Sequence, residues 1–260
     1  MSISNNSLFV GKVAHRLVSV DSTNAYAKLL FSKSKPTEGT AICAEEQYAG
    51  RGQIGSKWET APQKNIIMSV ILYPKFLLAT AQFQLNQVVS LAVLATLAEY
   101  IDPKLLHLKW PNDIYIADKK VGGILIENSL KGTWLDHSIV GIGLNINQTT
   151  FDAALTQATS LAIATQKEYD LEILLARLCE NIEGYYLQLQ AKRSDTKKRL
   201  EQAYLDNLLG YQKWRNYQLP QHQTTFRGKI TGVSSTGKLQ VETEAHPLEF
   251  DLKEIKFLFD

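Results

Sequence analysis

Two lysines, an amide and a carboxylate crowd into a short stretch of this chain: Lys109-Trp110-Pro111-Asn112-Asp113, followed closely by Lys120-Val121-Gly122-Gly123-Ile124-Leu125-Ile126-Glu127. Upstream, Gln47-Tyr48-Ala49-Gly50-Arg51-Gly52-Gln53-Ile54-Gly55-Ser56-Lys57-Trp58 places three glycines, two cations and an indole in one loop. These segments share one property, which is that they can gather anions. Glycines let backbone N–H groups close around a phosphate or carboxylate. Arg51, Lys109 and Lys120 bring cations that form charge-assisted hydrogen bonds to it. A centre that joins two negatively charged reactants needs both devices.

Other chemistries lack their residues. Gly50-Arg51-Gly52-Gln53-Ile54-Gly55 spells G-x-G-x-x-G, yet a dinucleotide fold needs that run to follow a strand, open a helix and precede an acid about twenty residues on. Here it leads to Trp58, Pro62 and another strand pattern. G-x-x-x-x-G-K-[ST] and G-x-S-x-G do not occur, which disfavours P-loop and nucleophile-elbow chemistry. His15, His107, His137, His222 and His246 are scattered without ligand spacing, so no metal site is expected and each reads as structural or solvent-facing. Cys43 and Cys179 lie far apart in apolar patterns, which suggests buried thiols in a reducing compartment. A net charge of +2 implies neither nucleic acid nor a membrane surface as partner. The most apolar run, residues 88–98, is too short to cross a bilayer, and the N-terminus lacks a signal-peptide pattern. A soluble, cytoplasmic protein is expected. Taken singly, Arg51 and Lys57 could be solvated charges, Trp58 and Trp110 core residues, and Gly122-Gly123 a packing device. Taken together those readings fail.

The elements that must position these residues follow from periodicity. Residues 1–6 are polar and read as frayed. Asp21-Ser22-Thr23-Asn24 offers N-cap side chains ahead of Tyr26, Leu29 and Leu30, which predicts a helix ending before Pro36. Residues 40–45 read as a short buried strand, and residues 65–73, apolar without alternation, as a central strand covered on both faces. Residues 82–101 predict a buried helix closed by Pro103. Strands are expected at 105–110, 114–117 and 121–127, the last two joined at Asp118-Lys119. Another is expected at 134–147, interrupted by Gly141-Ile142-Gly143. A polar stretch spans 149–165, and Asp170 caps a helix carrying Leu171, Leu174, Leu175, Leu178, Ile182 and Tyr185. The run 192–199 reads as a solvated helix or loop. From Tyr217 short alternating runs separated by Ser234-Ser235-Thr236-Gly237 and Ala245-His246-Pro247 predict a small β module. The expected division is a catalytic domain over 1–216 and an SH3-like domain over 217–260.

The ordered series Ser22-Thr23-Asn24, Gln47 with Gly50-Arg51-Gly52, Gly55 and Trp58, the two lysine segments, and Gly141-Ile142-Gly143-Leu144-Asn145 resembles that of the biotin protein ligases from about residue 19 to 147. The resemblance implies an α+β fold: a mixed β-sheet flanked by helices, with a small C-terminal SH3-like β-barrel. It implies two steps. Biotin's carboxylate attacks the α-phosphate of Mg2+-bound ATP to give biotinyl-5′-AMP. A lysine of a biotin carboxyl carrier protein domain, as in acetyl-CoA carboxylase, then attacks the mixed anhydride. Carried over, Ser22, Thr23, Asn24, Gln47, Gly50, Arg51, Lys120 and Gly123 form the biotin pocket. Arg51, Gln53, Trp58, Lys109, Asn112 and Asn145 surround the nucleotide. Lys120 bridges carboxylate and phosphate, Arg51 closes the loop over the adenylate, and Asp113 orients or deprotonates the acceptor lysine, or is a turn carboxylate. Some members carry further arginines where this chain has Gln53 and Ser56, which weakens loop contacts to phosphate or shifts them to Lys57. About twenty residues precede the first motif, too few for the DNA-binding domain of other members, so a monofunctional ligase is expected. Members often pair through the catalytic sheet, which leaves a homodimer open. The alternatives are a lipoate ligase or octanoyltransferase of the same fold and a non-catalytic biotin- or nucleotide-binding module.

Overall fold

The computed structural model describes residues 2–53, 56–191 and 193–258, so Ile54, Gly55 and Lys192 of the segments above lie outside the described residues. A seven-stranded sheet runs in the order β1-β2-β3-β7-β6-β5-β4. Its strands are β1 (Ala14–Val20), β2 (Ala41–Gln47), β3 (Ile66–Leu72), β4 (Leu106–Lys109), β5 (Asp113–Ile116), β6 (Lys119–Lys131) and β7 (Trp134–Leu144). β1 and β2 are parallel, joined by the crossover helix α1 (Thr23–Lys33), and the other neighbours are antiparallel.

The missing alternation in β3 has a simple cause. Ile66, Met68, Val70 and Leu72 join the core that includes α2 (Phe83–Leu97) and α4 (Leu171–Gln190), while Ile67 and Ile71 pack on the α1 face. Each such side chain, fully buried, contributes roughly 1.5–3 kcal/mol. Asp170 caps α4 as expected, accepting the N–H groups of Glu172 and Ile173. The charge run opens a separate helix, α5 (Ser194–Asp206), whose Thr196, Leu200, Tyr204 and Leu205 are buried. Its charges are the outer face of an amphipathic helix.

A second sheet, in the order β11-β10-β9-β8-β12, comprises β8 (Trp214–Leu219), β9 (Thr224–Val233), β10 (Leu239–Thr243), β11 (Leu248–Phe250) and β12 (Lys256–Phe257). It starts at Trp214, three residues before the alternation becomes legible at Tyr217. Among the described residues β11 and β12 do not pair, so the sheet stays open where an SH3-like barrel would close. The fold is α+β.

Several expectations are corrected. The N-terminal segment is tied down: Glu183 accepts the backbone N–H groups of Leu8, Phe9 and Val10 at 2.6, 2.7 and 3.0 Å, and Ser4 and Asn6 donate to Glu180. Polar composition misled there because the partners are carboxylates more than 170 residues away. β1 follows as an edge strand with little apolar signal. Gly141 and Gly143 do not interrupt β7, which pairs on both sides through them. The polar stretch holds a short helix, α3 (Leu161–Thr165), capped by the Ser160 hydroxyl accepting from Ile163 N–H.

Candidate active site

Strand register assembles the site. Lys109 pairs with Asp113, Asp113 with Gly123, Gly123 with Gly143, and Gly143 with Ile67, a single row across five strands. All five residues line one cavity of about 450 Å³ on the α1 face of the sheet. The two glycines form a trough in the row, and the Trp58 indole lies in it. A methyl group on Gly143 would stand 2.5 Å from Trp58 Cε2, and one on Gly123 would stand 3.6 Å from Cζ3.

One end of the cavity is neutral and rich in hydrogen-bonding groups. Ser22, Thr23 and Asn24 at the start of α1 and Gln47 at the end of β2 line it. Ser22 occupies the N-cap position of α1 without making a side-chain capping bond, so the capping expected from the sequence is absent there. Gln47 Oε1 accepts the Thr23 backbone N–H at 2.7 Å and lies 3.1 Å from the Thr23 hydroxyl.

The other end is cationic. Lys120 Nζ sits 2.6 Å from Asp113 Oδ1 and 5.7 Å from the centre of the Trp58 ring. Lys109 Nζ lies 3.3 Å from the Tyr115 hydroxyl and 5.6 Å from the centre of the Phe257 ring. Burial pulls the Lys109 pKa down; Asp113 opposes that shift, while Lys120 and Lys256 reinforce it. Burial, with Asp113 beside it, pushes the Tyr115 hydroxyl well above its ordinary range. The Asn112 side-chain amide donates to Ile124 O, and Ile124 N–H returns a bond to Asn112 O at 3.0 Å. Its side chain thus clips the Pro111 turn to β6.

The described arms of the glycine loop, residues 50–53 and 56–58, run antiparallel. Arg51 and Lys57 form an antiparallel bridge, Gly52 N–H donates to Ser56 O, and Trp58 N–H donates to Gly50 O. A side chain at Gly50 would collide with the Trp58 carbonyl, so that position requires glycine. Arg51 is exposed and makes no side-chain bond among the described residues; with Gln53, Ser56 and Lys57 it lines the cavity.

Of the residues singled out from sequence, Gly50 and Asn145 do not line the cavity. Asn145 is buried, its N–H donating to Val121 O and its Nδ2 to Thr159 O, and its Oδ1 has no hydrogen-bond partner among the described residues. Trp58 Nε1 is likewise buried and unpartnered. Sequence reasoning missed two groups. Pro220, Leu252, Lys253, Ile255, Lys256 and Phe257 of the second sheet and its loops close the cationic end, and Trp110 Nε1 donates to Gly237 O at 2.9 Å across the seam. Ser69, inside β3, bonds to the Thr23 and Asn24 side chains from behind the cavity wall. A lone hydroxyl in the run Ile66-Ile67-Met68-Ser69-Val70-Ile71 was the available signal.

Residues 17–145 match the Biotin/lipoate A/B protein ligase family. The chain is 31% identical over 228 residues to the bifunctional ligase/repressor BirA of Bacillus spizizenii, a match spanning 86% of this chain and 68% of that protein. It is 35% identical over 154 residues to a biotin–[acetyl-CoA-carboxylase] ligase of Paracoccus denitrificans, spanning 58% and 62%. The biotin protein ligase from Aquifex aeolicus, solved in complex with biotin and ATP, superposes with a TM-score of 0.76 at 28% identity over 96% of this chain and 100% of that one. The motif series, the register row that brings it together and these likenesses agree: the chain belongs to the biotin protein ligase family.

Proposed function

We propose that this protein activates biotin with Mg-ATP as biotinyl-5′-AMP and transfers the biotinyl group to a lysine of a biotin carboxyl carrier domain, such as that of acetyl-CoA carboxylase. The observation that carries the reading is the polarity of the cavity along one register row. A ureido ring offers N–H and C=O groups and suits the end built from Ser22, Thr23, Asn24 and Gln47. The valeryl chain runs along the cavity beside the Trp58 indole that fills the glycine trough, and its carboxylate reaches the end that holds Lys120 and Lys109. A lipoyl or octanoyl tail would leave the polar groups of the first end buried and unpaired, a penalty that selects against such substrates.

In the first step biotin's carboxylate oxygen bonds to the α-phosphorus of ATP and pyrophosphate leaves. Two anions must meet, so a cation between them lowers the barrier. Lys120 supplies it by exchanging its contact with Asp113 for one with the reacting oxygens. In the second step the acceptor amine attacks the anhydride carbonyl, AMP leaves, and Asp113, relieved of Lys120, orients the amine or takes its proton. Trp58 and Asn112, which line the cavity, would flank the nucleotide, with Asn145 buried outside it. Lys109 would hold phosphate. Gln53 and Ser56 replace cations in the loop, and Lys256 of the second sheet lines the same end of the cavity. Arg51 and the Gly50–Gly52 backbone would close over the biotinyl chain and exclude water that would hydrolyse the anhydride.

The test is to incubate the protein with biotin, Mg-ATP and a carrier domain and weigh the carrier by mass spectrometry. Gain of one biotinyl group on the carrier lysine is expected. No gain would sink the ligase reading, and lipoyl or octanoyl transfer from the corresponding donors would favour the lipoate-type alternative.

A further inference from the structure

A chain of polar groups runs from the neutral end of the cavity to an anion on the far side of α1. Ser69 Oγ, completely buried on β3, lies 2.7 Å from Thr23 Oγ1 and 2.6 Å from Asn24 Oδ1. Asn24 Nδ2 donates to Glu127 Oε2 at 2.9 Å and lies 3.3 Å from Leu125 O, and Glu127 Oε1 pairs with Lys28 Nζ at 2.5 Å. Register makes the crossing possible. Ser69 pairs with Gly141, and Gly141 with Leu125, so Asn24 spans from β3 to β6 over the one residue of that row without a side chain. A methyl group on Gly141 would stand 2.5 Å from Asn24 Oδ1.

The proton directions in this chain are determined by its carboxylate end. Glu127 and Leu125 O accept only, which fixes the Asn24 amide with Nδ2 toward them and Oδ1 toward Ser69. Asn24 Oδ1 carries no proton, so the 2.6 Å contact requires that Ser69 donate its one proton there. The Ser69 oxygen is then an acceptor toward Thr23, and the Thr23 proton goes to Ser69 at 2.7 Å or to Gln47 Oε1 at 3.1 Å. Either way it stays inside the protein. Thr23, which lines the cavity, therefore offers through Oγ1 lone pairs alone, polarised by a series of bonds that ends on an anion.

We propose that Ser69 is a positioning residue that, through Asn24 and Glu127, commits Thr23 Oγ1 to accept a hydrogen bond from a ring N–H of the biotin ureido group, so that the enzyme selects ligands carrying that N–H. This rests on the biotin reading above. Ser69 touches no substrate and acts only through Thr23 and Asn24.

The experiment measures, by isothermal titration calorimetry, the affinity of the intact protein for biotin and for biotin methylated at one or the other ureido nitrogen. In the unsubstituted protein, methylating the nitrogen that faces Thr23 is expected to weaken binding about 100-fold, as losing a hydrogen bond to a strongly polarised acceptor does. In Ser69→Ala, biotin itself is expected to bind about tenfold more weakly and the methylation penalty to shrink about tenfold, while the KM for ATP stays within about twofold. Glu127→Gln, isosteric and partly exposed, removes the terminal anion without a packing change. It is expected to shrink the penalty about threefold, and it decides the matter if Ser69→Ala does not fold. A merely structural serine would change affinities without changing their ratio. An unchanged ratio in a folded variant that still binds biotin overturns the relay alone; no binding of biotin by the unsubstituted protein overturns the relay and the biotin reading together.

Discussion

Replacing Gly143 by alanine puts a methyl group 2.5 Å from Trp58 Cε2 and 2.6 Å from Nε1. Carbon atoms settle at about 3.5–4.0 Å, so something must retreat by roughly 1 Å. β7 is held on both sides, with Gly143 paired to Ile67 and to Gly123, so the indole gives way rather than the sheet. Overpacking of this kind costs about 1–3 kcal/mol. At roughly 2–4 °C per kcal/mol for a chain of this size, Tm should fall by about 2–12 °C. The indole lines the cavity and lies against Lys120, so a shift of the ring into the cavity disturbs Lys120 and the space for substrate. A misplacement of about 1 Å near the reacting groups can cost 100-fold, so activity should suffer more than stability. Biotin-dependent pyrophosphate release, a thermal melt and tryptophan emission measure the three effects in one preparation. Gly184→Ala is the control: it lies within α4 with nothing within 4 Å of a new methyl, and should be stabilised by about 0.5–1 kcal/mol with unchanged turnover. Parental melting temperature, emission and turnover in Gly143→Ala would refute the claim that Trp58 is seated by the absence of a side chain there.

The remaining predictions concern the cationic end, the seam and the buried thiol. Lys120→Gln should slow adenylate formation about 100- to 1000-fold, with little change in Tm because the Asp113 pair is partly exposed; near-parental pyrophosphate release in the folded variant would remove Lys120 from the first step. Trp110→Phe deletes the bond to Gly237 O and should cost about 1 kcal/mol, seen as faster amide exchange in residues 214–257 and a higher KM for ATP; unchanged exchange there would sink the prediction. Burial pushes the Cys43 thiol up from 9.0 to about 12, so a thiol reagent at pH 8 should label it only as fast as the protein opens. The sign of the linkage follows: between pH 9.0 and about 12 the unfolded thiol ionises while the folded one keeps its proton, so stability falls as pH rises through that window. Cys43→Val should flatten that part of the slope in denaturant melts, and an unchanged slope would refute it.

Much of the site was legible because its residues sit on strands whose pattern is strong. β3 reads as a central strand from composition alone, and the two lysine segments read as strand ends bearing chemistry, which is where the row Lys109–Asp113–Gly123 runs. What stayed hidden depends on partners far away in the chain. β1 is an edge strand that leaves Val18 exposed, so it carries no burial rhythm. The N-terminal residues look solvated until Glu180 and Glu183 of α4 arrive to accept their donors. Gly141 and Gly143 read as a break in a strand because sequence does not show that Asn24 and Trp58 occupy the vacated space. The contribution of Lys256 and Phe257 to the cavity depends on how two sheets dock, a matter of surface fit for which periodicity carries no sign.

The seam at Trp110 and Gly237, with a cavity lined from both sheets, couples binding to the folding of the second sheet. Ligand that fills a cavity walled by both sheets binds only when both are in place, so it stabilises the second sheet by RT ln(1 + [L]/Kd), about 2.7 kcal/mol at a hundredfold excess over Kd. The converse also holds. A substitution in the 234–237 turn that loosens the second sheet weakens ligand affinity by the factor by which it lowers the fraction of molecules with that sheet in place, although no residue of that turn lines the cavity. The C-terminal turn can therefore act as a remote control on substrate affinity, and variation there can alter how much substrate the enzyme needs without touching a residue that meets it.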